Sequence, residues 1–412
     1  MALTKEGVAA KYVQDTGRVS KLTIDGVSNN YKVYRIKLDQ LYYNAQNDRI
    51  ATWMSLYRKD HDGQAPDMSD RKAFNDIVGG FIEQSNPDAL KKTRNNIKLF
   101  GQEVPAIVLE DGLIIDGNRR FTCLRKLAQD DEKFNWIDAM VLPQEMAQDR
   151  RRIKKLELAI QFGQEGKVDY NPIDRLVGIY NDILKNRLLT TEEYAKSANM
   201  TVREVNSLVE QANLMAQFLE FCNAPEQFFL ARDLEISGPI MEIPRLLKKC
   251  PGDDEREEVR NCIFANMVVE PRGDITRFVR RFKPVLESPA APDFIRKETD
   301  LAAEVNDRLA EMPVVDTAGI REHIRGDEKL VQQFNDVMDK ADTQAKASKL
   351  LAAPAENILN AAHILESIDG TLFGRLPEDE RMRALQGLDA VIDAVEGVRR
   401  AIEEACGQGD EA

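Results

Sequence analysis

Gly112-Leu113-Ile114-Ile115-Asp116-Gly117-Asn118-Arg119-Arg120-Phe121 is the stretch whose reading decides the fold. Ahead of it, Val104-Pro105-Ala106-Ile107-Val108-Leu109 is a compact apolar run, and Glu110-Asp111-Gly112 has the composition of a turn. The spacing predicts two short buried strands, one over that run and one over Leu113-Ile114-Ile115. After Gly117 the apolar spacing becomes helical, with Phe121, Leu124, Leu127 and Ala128 on one face, so a strand hands over to a helix there. Arg119 and Arg120 then fall in the first turn of that helix. Cations are disfavoured at this positive end of the helix dipole. Free backbone N–H groups at the same end, including those of Gly117 and Asn118, attract anions, and a phosphate would satisfy both them and the guanidinium groups. The alternative is a local ion pair, with Asp116 or Asp111 neutralising the arginines on a solvated turn.

A chain of 412 residues has the length of about two to four domains. With 43% hydrophobic and 31% charged residues, it has the composition of a globular protein with ample core material. No apolar run is long enough to span a bilayer and no signal peptide is evident, so the expectation is a cytoplasmic protein with no membrane partner. Cys123, Cys222, Cys250, Cys262 and Cys406 are scattered, and His61, His323 and His363 stand apart from them. That spacing predicts neither a zinc site nor a disulfide framework, and no metal ligands are assigned. The net charge of −13 is uneven: residues 1–200 carry 31 basic and 29 acidic side chains, residues 201–412 carry 26 and 41. The acidic total argues against non-specific coating of nucleic acid, yet leaves the first half free to present a basic face. The second half reads as a scaffold or a surface for a protein partner.

Residues 1–30 read as a polar extension in which Val19-Ser20-Lys21-Leu22-Thr23-Ile24 alternates like an edge strand, and Tyr31 to Leu38 alternates more clearly. Helices are expected from about Asn47 to Tyr57, from Ser69, and again after Asn86-Pro87. The last carries Lys91, Lys92, Arg94 and Lys98, a run that reads as a solvated face or, alternatively, as a nucleic-acid backbone contact. A further strand is expected at Ile137 to Leu142. Then comes a helix from Glu145 to Ile160 whose middle is crowded by Arg150, Arg151, Arg152, Lys154 and Lys155. From Asn171-Pro172 onward the pattern is all helical.

Thr190-Thr191-Glu192-Glu193 and Thr201-Val202-Arg203-Glu204 each fit a capping box. They define two short helices, with small Ala195 inside the first, Asn199 at the turn, and Val205 and Leu208 pointing inward from the second. This is the helix-turn-helix pattern, with Asn tolerating the left-handed turn. Thr201, Val202, Arg203, Asn206, Ser207 and Gln211 would then face a DNA major groove; a helical hairpin without that function is the alternative. Arg272, Arg277, Arg280, Arg281 and Lys283 form a basic cluster, expected either to contact phosphate or to pair with Asp253-Asp254-Glu255. Glu287-Ser288-Pro289-Ala290-Ala291-Pro292 reads as a linker. Two apolar stripes close the chain, Ile358, Ala361, Leu365, Ile368 and then Met382, Leu385, Leu388, Ile392, Val395, Val398, Ile402. They suit either a homodimer contact or packing within a monomer.

The order of these parts resembles the ParB family of the ParB/sulfiredoxin-fold superfamily. Ile36 to Arg49, with Asn44-Ala45-Gln46-Asn47-Asp48-Arg49, is similar to the family's first strand and its lead-in to the first helix. Gly101 to Val108 is similar to its Gly-x-x-Pro-Ile-Val-Val segment. Gly117-Asn118-Arg119-Arg120 stands where the family has a Gly-x-Arg-Arg nucleotide motif, and Asn171-Pro172-Ile173-Asp174 where it has Asn-Pro-Ile-Glu. The resemblance spans roughly residues 31–215. It implies that Gly117, Asn118, Arg119 and Arg120 hold the phosphates of a nucleoside triphosphate, CTP or ATP, with Mg²⁺. In the family's Glu-Asn-x-x-Arg box this chain has Gly163-Gln164-Glu165-Gly166-Lys167, so Gln164 and Lys167 stand for the binding pair and the carboxylate is lost unless Glu165 replaces it. Asp116-Gly117 is also similar to the Asp-Gly-x-x-Arg of superfamily phosphotransferases, NTPases and nucleases, which implies Asp116, with Glu165, as a catalytic base or metal ligand.

The expected fold is an α+β N-terminal domain, a small mixed sheet with helices over residues 31–168, after an extension over 1–30. An all-α helix-turn-helix domain over 169–235, a helical region over 236–345 and a C-terminal helical pair over 346–412 follow. The expected function is nucleotide-responsive binding of double-stranded DNA by a homodimer joined through the C-terminal helices, with a protein partner on the acidic half. The rivals are an NTP-dependent phosphotransferase or nuclease, as in a DNA-modification or defence system, and an adaptor.

Overall fold

The structure is a computed structural model and describes residues 2–24, 27–143, 149–162, 171–312 and 315–407. Contacts divide the chain into two units, Met1–Lys346 and Ala347–Ala412.

The first unit begins with a mixed sheet. Strands β1 (Val13–Ile24) and β2 (Val27–Lys37) form a long antiparallel hairpin. Helices α1 (Ala51–Asp60), α2 (Arg71–Ser85) and α3 (Pro87–Phe100) follow, then β3 (Ala106–Leu109), β4 (Ile114–Asp116), α4 (Asn118–Ala128) and β5 (Trp136–Leu142). The strand order is β1-β2-β5-β3-β4, with β3 parallel to β5 and the other pairs antiparallel. Residues 1–30 are therefore not an appendage. β1 is the outer strand of the sheet and sends Val13 into one core face and Leu22 and Ile24 into the other.

Each face is covered by helices. Phe74, Val78, Leu90, Ile97, Phe121 and Leu124 of α2, α3 and α4 pack one face together with Ile36, Val108 and Ile137. Helix α5 (Arg150–Phe162) covers the other with Leu156 and Ile160 against Ile107, Ile115 and Met140. Local chemistry sets the boundaries. Asp70 accepts hydrogen bonds from the N–H groups of Lys72 and Ala73 at the start of α2, and Asn86 caps α3 with Pro87 in its first turn.

The remaining described segments of this unit are helical: α6 (Pro172–Ile179), α7 (Thr191–Ala198), α8 (Val202–Phe221), α9 (Phe228–Asp233), α10 (Ser237–Leu247), α11 (Asp253–Val269), α12 (Ile275–Arg280), α13 (Phe282–Leu286), α14 (Ala291–Glu311), α15 (Thr317–Ile320) and the long α16 (Glu328–Glu366). One continuous apolar core runs from Leu158 to Ala345. No domain boundary near residue 235 interrupts it, nor does the expected linker at 287–292. Phe282 and Phe294, on either side of that segment, meet ring to ring at 5.1 Å, and Pro292 simply starts α14. Three of the five cations of the basic cluster in this region are ion-paired, but not to residues 253–255. Arg281 meets Asp339 at 2.7 Å and Asp342 at 3.1 Å, Arg272 meets Asp339, and Arg280 meets Glu242. Only the fold brings α16 alongside to supply Asp339 and Asp342, and α10 to supply Glu242.

A buried ion cluster joins sheet layer and helical body. Lys154 of α5 is not part of a solvated basic run. Its Nζ donates to both Asp48 oxygens at 2.8 Å and lies 3.1 Å from Asp182 and 3.8 Å from Glu157. Gly178 of α6 is required beside it, since a Cβ there would lie 2.7 Å from the Asp48 carboxylate. Asn171-Pro172-Ile173-Asp174 has a related role. Asn171 caps α6, and buried Asp174 accepts a hydrogen bond from Thr52 of α1 at 2.8 Å and pairs with Arg232 at 3.3 Å.

The second unit contains the end of α16 and α17 (Glu378–Gly407). Leu365, Ile368, Leu385, Ile392 and Val398 of the two apolar stripes are all exposed, so the pair does not bury them against itself.

Glu298 of α14 is fully buried and receives one hydrogen bond, from Asn266 at 2.6 Å. Burial pushes its carboxyl up to about 8, from 4.5. Between those values the folded chain holds a proton that the unfolded chain has released, so this residue makes stability fall as pH rises. Glu298→Gln is expected to lose that fall. In urea unfolding the variant should gain on the wild type steadily from pH about 4.5 to about 8, by on the order of a few kcal/mol at the upper end.

Candidate anion-binding site

Gly117 sets the geometry of the site. Its φ of +109° is left-handed, and a Cβ would lie 2.8 Å from the Ala106 side chain of β3. No side chain with a β-carbon fits, so the chain turns directly from β4 into α4 against the neighbouring strand. No side chain caps α4, and its first intrahelical bond runs from the Phe121 N–H to the Gly117 carbonyl. The N–H groups of the first turn are therefore left for something else.

They open beside a cavity of about 320 Å³, lined among others by Asn47, Arg49, Asp116, Asn118, Arg119 and Gln161. Its polar lining is not self-satisfied. Asn118 is 7% exposed, and among the described residues neither its Oδ1 nor the buried Oε1 of Gln161 near the end of α5 has a hydrogen-bond partner. Arg119 is half-buried, and no described residue forms a hydrogen bond or ion pair with it. Desolvation and the nearby Arg49 guanidinium lower its pKa. Half-buried Arg119 beside a second guanidinium, together with open backbone donors, makes a site suited to an anion.

The two adjacent arginines are not equivalent. Arg120 is committed: its guanidinium donates to the carbonyls of Val104 at 2.5 Å and Pro105 at 2.9 Å, and to Asp116 Oδ2 at 2.6 Å. It braces the start of α4 to the lead-in of β3. The alternative of a local ion pair therefore holds for Arg120, and the phosphate geometry remains for Arg119. The same bond occupies the carboxylate expected to act as base or metal ligand. No cluster of three His, Cys, Asp or Glu side chains able to hold a metal occurs among the described residues. The described lining thus fits a polyanion through Arg49, Arg119 and the helix start, and offers Mg²⁺ little, since its carboxylate Asp116 is already paired.

Gln164, Glu165 and Lys167 lie outside the described residues. The sequence pattern starts this box at Gly163, whereas Gln161 is the α5 residue that reaches the cavity. Arg49 and Asn47 are visible in the sequence only as part of the lead-in to the first helix, and nothing local ties them to Arg119. Their meeting depends on a short helical turn at Asp48–Ile50, capped by the Asn47 side chain, being held against α2 and α6.

No protein-family model matches the chain, and no curated protein matches it. Among solved structures the chain is similar to a Pnob8-like ParB-N domain, with 13% sequence identity and a TM-score of 0.30 over 76% of this chain and 97% of that one. No helix of the described residues is long and apolar enough to cross a membrane.

A second candidate surface lies on α7 and α8. Both capping boxes are formed: Thr190 and Glu193, and Thr201 and Glu204, bond each other's backbone reciprocally. Asn199 closes α7 in the left-handed region at φ 53°, ψ 47°. Ala195, Ala198 and Val205 are buried between the helices. Val202, Arg203, Asn206 and Ser207 are exposed on the first turns of α8. Thr201 is engaged in the cap, its hydroxyl donating to Glu204 at 2.7 Å. Arg151 and Lys155 of α5 both pair with Glu193, which ties α7 to the helix that carries Gln161. A larger cavity, about 690 Å³, lies at the starts of α6 and α10 and is lined by Asn171, Arg232, Ser237 and Arg321. Arg232 there is already bound to Asp174, so the smaller cavity carries the stronger demand for a ligand.

Proposed function

We propose that this chain is a ParB-like DNA-binding protein that takes a nucleoside triphosphate, CTP or ATP, in the cavity at the start of α4 and double-stranded DNA on α8. One observation carries the nucleotide reading: Arg119, with no described partner, converges with open helix N–H groups just after Gly117. A phosphate supplies acceptors for the donors and relieves the mutual repulsion of Arg119 and Arg49. Mg²⁺, where it takes part, arrives on the nucleotide, and Asp116 positions Arg120.

The DNA reading rests on the helix pair. Two capped helices meet at a left-handed Asn, and the second presents a short basic and amide-bearing face, Arg203, Asn206 and Ser207, suited to base edges in a major groove. The apolar stripes of α16 and α17 support a homodimer. A contiguous exposed apolar strip of this length is rare on a monomer, and two such hairpins can close a four-helix bundle.

In isothermal titration with CTP and ATP, the Arg49→Ala/Arg119→Ala double variant should lose at least about tenfold in affinity, since hydrogen bonds to charged groups contribute about 1.5–3 kcal/mol each. An unchanged Kd removes the nucleotide assignment. For the helix pair, duplexes selected from a random pool should bind the Arg203→Ala/Asn206→Ala variant about tenfold to a hundredfold more weakly in gel shift, at about 1–3 kcal/mol per base contact; retention of the full shift would show that α8 does not read DNA. The self-association reading predicts a dimer mass by light scattering that becomes monomeric in Leu388→Glu/Ile392→Glu. A monomeric wild type refutes it.

A further inference from the structure

We infer that the outer face of α3 is a second nucleic-acid contact, a phosphate-backbone surface distinct from the face of α8; the inference deepens the DNA reading above and rests on it. The inner side of α3 is fixed by Leu90 and Ile97 in the sheet core and by Thr93 at the cavity wall. Its outer side carries Lys91, Lys92 and Lys98, all exposed, with Arg94 at the edge and neutral Asn95 and Asn96 between them. In a chain with an excess of carboxylates most neighbouring cations find one: Arg120 pairs with Asp116, Arg125 with Asp76, Lys126 with Glu83. None of the four cations of α3 forms an ion pair with any described residue. The helix has a single acid, Asp88, in its first turn.

Helix electrostatics do not account for the pattern. Lys98 sits in the last turn, where the dipole favours it, but Lys91 and Lys92 lie in the N-terminal half, where the dipole opposes them. The spacing suits a polyanion. Lys91 and Lys98 are seven residues apart on one face, about 10 Å along the axis at about 1.5 Å per residue. Duplex DNA offers about one phosphate charge per 1.7 Å of its axis, so this span faces several phosphates at once. Phosphate contacts of this kind carry no sequence information, and the surface would add affinity and orientation to whatever α8 reads.

The test uses the full chain and a short fluorescein-labelled duplex of arbitrary sequence, with anisotropy followed over a potassium chloride series. Lys91→Gln/Lys92→Gln/Lys98→Gln should bind at least about tenfold more weakly at low salt. Its slope of log K against log salt should be shallower by about 2–3, at about 0.9 for each phosphate no longer neutralised. Lys91→Arg/Lys92→Arg/Lys98→Arg should restore both values. Arg203→Ala/Asn206→Ala should lose discrimination between a selected and an arbitrary duplex and keep most of the slope. An unchanged slope in the Gln variant overturns the inference while leaving the α8 reading intact. A wild type that binds no duplex overturns both. Poly-glutamate binding as tightly as the duplex, with the same loss in the Gln variant, overturns the assignment to nucleic acid in favour of an acidic protein.

Discussion

A lysine that cannot reach water holds the first unit together. Lys154 is buried among Asp48, Asp182 and Glu157. Those carboxylates come from the lead-in to α1, from the helical turn after α6, and from α5 itself. Burying an ammonium group is costly unless opposite charges and hydrogen bonds surround it, and removing one member leaves the others uncompensated. The cluster therefore fixes position more than it adds stability. The chain can satisfy it in one arrangement only, with α5 lying across the sheet and the helical body drawn up to Asp48. Burial pushes the Asp182 and Glu157 carboxyls up, to about 7 and about 8, while the carboxylate of Asp48 holds the charge of the lysine.

The cavity follows from that placement. Asp48 sits between Asn47 and Arg49, both of which line the site, and the α5 that carries Lys154 ends near Gln161 on the opposite wall. Gly117 supplies the remaining wall, because its missing β-carbon lets α4 start against β3. The three arginines then divide the work. Arg120 is spent on the frame, bonding carbonyls and Asp116, while Arg119 faces the space beside Arg49. A phosphate-binding cleft needs both kinds, since a guanidinium that must hold a ligand is useful only when others hold its surroundings still.

Much of the local structure was legible in the residues. Gly117 between a strand pattern and a helix pattern, the two capping boxes, and Asn199 at a left-handed turn each encode a conformation through sterics or a hydrogen bond reaching no more than three residues. They stand where the spacing predicts. The strands at residues 106–109, 114–116 and 137–142 were legible for the same reason, since a run of buried apolar residues has few other uses. Several of the readings that changed concerned charge. Lys154 reads as one of five cations on a helix surface, and Arg120 as the twin of Arg119. Arg280 and Arg281 read as partners of an acidic run that they do not touch.

The sequence by itself thus determined the order of the elements, their caps and turns, and the meeting of a glycine, an asparagine and two arginines at the start of one helix, because these depend on neighbours along the chain. Tertiary structure alone decided which cation is buried, which is braced and which is left facing a cavity. It also decided that β1 belongs to the sheet and that residues 287–292 do not divide the helical core. The reason is physical: an apolar period shows which face turns inward, but the partner of a charge depends on what the fold brings within about 4 Å. That information is spread along the chain, with Asp48 and Lys154 standing 106 positions apart.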